Sequence, residues 1–184
     1  RIMEKLEEVL KELRKKIKKL NKDNEETVRR IKKEVDKVIK KNRDVNERIR
    51  KRLEEVISRI SDERLVRDIE RLARENSRTS EELEREVRKI VREAEESSKR
   101  LIEKNEDLLR RLTEEVKRVK DRGESEEVVE KLIEDMERVV AESAKENKKH
   151  SDDVKRILDE IRRKAEDHIR KTEELLRRIE ERTR

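Results

Sequence analysis

Cysteine, proline, glutamine and all three aromatic residues are missing from this chain of 184 residues, and glycine occurs once. Without cysteine there is no disulfide framework, no thiolate metal site and no thiol nucleophile, and nothing indicates a redox compartment. Without aromatics there are no platforms on which nucleic-acid bases could stack, and little with which to line an apolar pocket. No run approaches the roughly 18 apolar residues of a membrane span, and the opening RIMEKLEEVL has no signal-peptide core. The chain reads as soluble, with no membrane partner and no indicated localisation.

What it has in abundance is charge. Charged residues make up 58% of the chain and apolar residues 29%, a balance that in a structureless sequence would mean disorder. Here the apolar residues are instead strictly spaced, which predicts periodic helical order. The net charge of +6 conceals an asymmetry: residues 1–60 carry 22 Lys/Arg against 13 Asp/Glu, and residues 61–184 carry 34 against 37. A basic first helix beside faintly acidic ones is read as electrostatic complementarity within one bundle. Clusters such as Arg14-Lys15-Lys16 have no aromatic or motif beside them, so no nucleic-acid partner is expected.

The first apolar stripe runs Met3, Leu6, Leu10, Leu13, Ile17 and Leu20, passes Asn24 and Thr27, and continues through Ile31, Val35, Val38, Asn42, Val45, Ile49, Leu53 and Val56 to Ile60. Its 57 residues in 16 steps average 3.56 per step, between a heptad and a straight helix. That predicts one continuous helix on the order of 85–90 Å long. A five-residue jump from Ile60 to Leu65, with Ser61 and Asp62 available as caps, marks a break. A second stripe from Leu65 to Val119 ends in Arg118, Lys120 and Arg122, followed by Gly123 and then Ser125. Cations in a last turn, a left-handed glycine and a serine cap make this a helix stop and a new start. The third stripe runs from Val129 to Ile179. The expected fold is therefore all-α: an antiparallel up-down-up three-helix bundle, coiled-coil-like, with helices at about 2–60, 62–121 and 125–183, forming one elongated domain over 1–184. Doubled apolar positions such as Leu108-Leu109, Val139-Val140 and Leu175-Leu176 widen the stripes enough to touch two neighbours.

Polar residues interrupt these stripes. If the helices begin level at each turn, facing residues in the first and second have numbers summing to about 123, and in the second and third to about 246. Two cross-sections then collect polar side chains from all three helices: Asn24, Thr27, Ser97, Ser98, Asn147 and His150 in one, and Asn42, Asn46, Asn76, Thr79, Ser80, His168 and Thr172 in the other. Asn105 falls near Asn21 and Ser143, a looser coincidence. Unpaired buried amides and hydroxyls cost about 1–3 kcal/mol each, so gathering them predicts buried hydrogen-bond layers that fix register. Asn46, Asn21 and Ser80 sit at stripe edges, where water is the alternative partner.

The two histidines do not suggest chemistry. His150 and His168 are 18 residues apart, about 27 Å along a helix axis, too far to share a metal. A di-iron bundle site needs Glu three residues before His, and those positions hold Asn147 and Ala165. No catalytic motif, Gly-rich loop or long loop is present, so no enzyme activity, cofactor, metal or small-molecule substrate is expected. If the histidines are buried, folding lowers their pKa and stability falls in acid.

With its three equal helices, its phase-locked Val, Ile and Leu seam, its Asn/Ser/Thr/His layers, its Ser61-Asp62 and Gly123-Glu124-Ser125 turns and its Glu/Lys/Arg surface, the whole chain resembles de novo designed parametric helical bundles with buried hydrogen-bond networks. The resemblance implies a scaffold without natural activity. A monomer is the favoured state, and the alternative role is an interaction module that uses the wide apolar stripes and His150 and His168: a self-associating component, a partner for another designed chain, or a pH-responsive switch.

Overall fold

A computed structural model describes every residue from Arg1 to Arg184. The chain is an all-α three-helix bundle: α1 spans Ile2–Ser58, α2 spans Glu63–Arg122 and α3 spans Glu126–Arg182, of 57, 60 and 57 residues, with no strand. Its contacts gather into two compact units. Unit 1 comprises Arg1–Arg30 and Glu93–Lys155, and unit 2 comprises Ile31–Arg92 and Arg156–Arg184.

The two connections are built differently. After α2, Gly123 adopts φ 59°. Its amide donates to the carbonyl of Lys120 and that of Glu124 donates to the carbonyl of Val119, the paired bonds of a Schellman stop that needs a left-handed residue. Ser125 then caps α3, its Oγ accepting from the amide of Val128 at 3.4 Å, with Glu126 and Glu127 in the first turn. At the other connection α1 ends without glycine and with no cation in its last turn. It tightens instead, the amides of Arg59 and Ile60 donating three residues back to Val56 and Ile57. Asp62 restarts the chain, its Oδ1 accepting from the amides of Arg64 at 3.0 Å and Leu65 at 3.4 Å. Helix α1 therefore closes at Ser58, two residues short of the end of its apolar stripe.

In unit 1, Leu6, Leu13 and Ile17 from α1 pack with Leu108, Leu112, Val116 and Val119 from α2 and with Val129, Ile133, Met136 and Val140 from α3. Leu6 and Val129 are wholly buried, and each such side chain contributes about 1.5–3 kcal/mol by leaving water. In unit 2 the corresponding cluster is Ile49, Leu53, Val56, Ile69 and Ile179, flanked by Leu65, Leu72, Leu175 and Leu176. Where the sequence doubles its apolar residues, the deeper one is often not the one on the simplest stripe: Ile39, Ile133, Val140 and Leu158 are buried beside half-buried Val38, Leu132, Val139 and Ile157. A stripe wedged between two neighbours has its deepest line at its middle, which step counting does not locate.

Cross-helix contacts fix directions and register within each unit. In unit 1, Lys120 pairs with Glu7, Arg14 donates to Thr113 and Asn105 donates to Asn21, so α1 and α2 run antiparallel. In unit 2, Arg48 pairs with Glu173 and Arg52 with Glu180, so α1 and α3 run parallel. Facing residues of α1 and α2 such as Asn21 and Asn105, or Asn46 and Ser80, sum to 126, and Ser98 and His150, or Ser80 and His168, sum to 248. The turn-centred sums of 123 and 246 are each low by two or three residues. Counting from a turn assumes that the helices start level, and the turn sequence does not fix that stagger.

The ion pairs give mixed support to a basic α1 matched by acidic partners. Arg43, Arg48 and Arg52 meet Glu84, Glu173 and Glu180, but Glu7 and Glu34 of α1 meet Lys120 and Arg162. Each has at least one partner exposed to water, where such pairs add little to stability.

Candidate functional site

The features that depart from a plain apolar core are two clusters of polar side chains, one in each unit. In unit 1 the cluster centres on Asn147 of α3, which is 6% exposed. Its Nδ2 donates to the carbonyl of Ser143 one turn earlier, at 2.7 Å. Its Oδ1 accepts from Nδ2 of Asn24 on α1 and, at 3.4 Å, from Nδ2 of Asn105 on α2. Asn105 donates also to Oδ1 of Asn21 at 2.9 Å. Four amides from three helices are thus linked, and a carbonyl oxygen with two lone pairs is filled from both neighbouring helices. Nearby, Ser98 Oγ and His150 Nε2 lie 2.6 Å apart, bridging α2 and α3.

The expected membership of this layer changes accordingly. Asn105 and Asn21, only loosely placed by register arithmetic, are integral. Thr27 is half-buried and donates its hydroxyl to the carbonyl of Asp23 in its own helix at 2.9 Å. Ser97 is half-buried and accepts from Arg100 at 3.2 Å. Neither links helices. A Thr hydroxyl bonding four residues back is a local solution that costs the helix little, and spacing alone does not distinguish it from a cross-helix bond.

In unit 2 the chain of contacts runs from α1 through α2 to α3. Asn46 Nδ2 donates to Ser80 Oγ at 2.6 Å, and Ser80 Oγ lies 2.5 Å from His168 Nε2. One turn on, the hydroxyl of Thr172 lies 2.9 Å both from Oδ1 of Asn76 and from the backbone carbonyl of its own residue 168. Ser80, His168 and Thr172 are buried, and Asn46 and Ser80, the edge positions, make the cross-helix bonds. Thr79 is exposed and donates to the carbonyl of Glu75 at 3.0 Å. Asn42 is only 2% exposed, but its Oδ1 has no partner, and neither has Oδ1 of Asn46. The two clusters therefore differ: none of the buried polar atoms in unit 1 is left unpaired, whereas unit 2 leaves two acceptors.

Both histidines have their pKa lowered below the ordinary value, chiefly because burial disfavours the imidazolium. At His150 the carboxylate of Asp153 opposes this. At His168 the ammonium of Lys171 reinforces it and Asp167 opposes it.

The clusters hold hydroxyls, amides and neutral imidazoles, which can donate, accept and orient. No group of three or more His, Asp or Glu side chains is placed to hold a metal ion, and no helix is long and apolar enough to cross a membrane. A surface groove between α1 and α3 in unit 1, lined by Leu20, Asp23, Thr27, Lys148 and Ser151, exposes an edge of the Asn24–Asn147 pair. No protein-family model, no curated protein and no solved structure matches the chain.

Proposed function

We propose that this protein is a structural scaffold without catalytic activity, in which buried polar clusters select one pairing of three otherwise interchangeable amphipathic helices. The observation that carries this reading is the four-amide cluster Asn21–Asn105–Asn147–Asn24, whose members come from all three helices and satisfy one another. An apolar seam of Val, Ile and Leu is indifferent to sliding by one heptad. A slipped register that buries Asn147 against Leu leaves its amide unpaired, at about 1–3 kcal/mol per group. The cluster thus acts mainly by penalising the wrong structures. The resemblance to designed bundles with hydrogen-bond layers points the same way.

Replacing Asn24, Asn105 and Asn147 together by Leu tests the reading. The triple variant is expected to keep its helix content and to stay close to the wild type in stability, while losing uniqueness. Sedimentation should reveal mixed association states, and amide NMR spectra should show doubled or broadened signals. A triple variant that remained one monomeric species with equally sharp spectra would sink the register role. The alternative role, as an interaction module, requires an apolar surface to offer. Val128, at 43% exposure, is the one large hydrophobic side chain that stands exposed, which favours the scaffold. A sedimentation mass for the wild type that rose with concentration would favour the module.

A further inference from the structure

Protons in the unit 2 cluster can be counted. While the Asn46 amide donates to Ser80 Oγ, Ser80 either gives its one hydroxyl proton to His168 Nε2 at 2.5 Å, with the neutral ring's proton on Nδ1, or accepts a second bond from Nε2–H. In both cases the Asn46 amide is turned the same way. This arrangement strands the Oδ1 atoms of Asn42 and Asn46, two buried acceptors one helical turn apart on the same face of α1.

A side-chain amide turned through 180° exchanges its oxygen and nitrogen with almost no change of shape. If the Asn46 amide is turned, its oxygen faces Ser80 and its NH2 takes the place of the stranded Oδ1, and the acceptor that helix spacing offers it is Asn42, four residues earlier on the same face of α1. We infer that the cluster runs in this reverse direction: His168 Nε2–H donates to Ser80 Oγ, Ser80 donates to Asn46 Oδ1, and Asn46 Nδ2 donates to Asn42 Oδ1. One rotation, with the ring proton on Nε2, then supplies both orphaned acceptors. It also joins Asn42, which otherwise bonds to no other helix, to a continuous chain ending on α3. A half-satisfied buried network is less stable than a complete one, which selects this direction over the other. His168 is consequently a donor to the core, its tautomer set by an asparagine on another helix two bonds away.

Nitrogen NMR of the imidazole at a pH where His168 is neutral reads the tautomer directly. The expected result is a protonated, pyrrole-like Nε2 and an unprotonated, pyridine-like Nδ1. In Asn42→Leu, which removes the terminal acceptor, the population is expected to move toward the Nδ1–H form. Asn42→Ala serves the same purpose should leucine disturb packing. An Nδ1–H tautomer in the wild type would overturn the inference, and so would a tautomer indifferent to both substitutions at Asn42.

Discussion

The two polar clusters solve the same problem unequally. In unit 1 an asparagine on each helix meets another asparagine, and the side-chain oxygen of Asn147 accepts a hydrogen bond from both neighbouring helices. In unit 2 the link from α1 to α3 passes through the single hydroxyl of Ser80, with Asn76 and Thr172 bonded apart from it. Two amide oxygens of α1 find no donor while Asn46 donates to Ser80. Asparagine has two donors and two lone pairs, whereas serine has one proton to give. A cluster made from amides therefore closes on itself, and one routed through a hydroxyl must choose a direction. In the proposed scaffold role, unit 1 is the selector of register and unit 2 the cluster whose hydrogen bonds can be reorganised.

Substitutions should break this comparison in a graded way. The largest effect is expected from Asn147→Leu, which leaves the donors of Asn24 and Asn105 without their shared acceptor. The Asn24 amide is then stranded, while Asn105 keeps its bond to Asn21, and at about 1–3 kcal/mol for a stranded buried group stability should fall by about 2 kcal/mol in denaturant unfolding. The triple Leu variant should recover most of that loss, because of the four amides only Asn21 then remains, and it is half-buried and can bond to water.

The helix connections come next. Gly123→Ala places an L-residue at φ 59°, and since nothing lies within 4 Å of the added Cβ the cost is backbone conformation alone, about 1 kcal/mol. Asp62→Ala removes the cap on the amides of Arg64 and Leu65 and should cost a similar ~1 kcal/mol, read as a lowered Tm. A loss well above this at Gly123 would mean that the turn is under tertiary strain.

Asn42→Leu should then sharpen the contrast with Asn147. It removes the last acceptor of the unit 2 chain, so one buried group of Asn46 loses its partner, while the added apolar volume offsets part of that cost, and stability should fall by no more than about 1 kcal/mol. A loss near that of Asn147→Leu would erase the distinction between the clusters.

The gentlest effect expected is on pH dependence. Both histidines have depressed pKa values in the folded state, so the unfolded chain binds more protons. Their contribution is fully present above the unfolded pKa of about 6.5 and is lost as pH falls from there through the folded values. Denaturant midpoints at pH 5 should lie below those at pH 7.5. The double variant His150→Asn, His168→Asn should narrow the gap, and an identical gap in that variant would remove the histidines from the explanation.

How much of this is written in the chain differs from feature to feature. Three-and-four spacing with Gly123 and two capping residues defines three helices to within about two residues, because helix periodicity and termination are local properties of the backbone. The grouping of Asn24 with Asn147, and of Ser80 with His168, follows from the same spacing once the helices are folded back. The roles of Thr27, Ser97 and Thr79 do not follow. A hydroxyl on a helix can bond its own preceding turn as readily as a neighbour, and only the depth of the side chain decides between them. Asn105 illustrates the converse: an axial stagger of two to three residues, invisible in the turns, brings it level with Asn21 and Asn147.

The sequence by itself thus determined the helices, their ends and the existence of polar layers, all of which depend on residues within a few turns of one another. Tertiary structure alone decided which polar groups meet and which bond locally, and it left the side-chain oxygens of Asn42 and Asn46 dependent on which way the Asn46 amide is turned. Those outcomes depend on stagger and on side-chain depth between three helices, and a hydrogen bond is lost over a displacement of less than one residue.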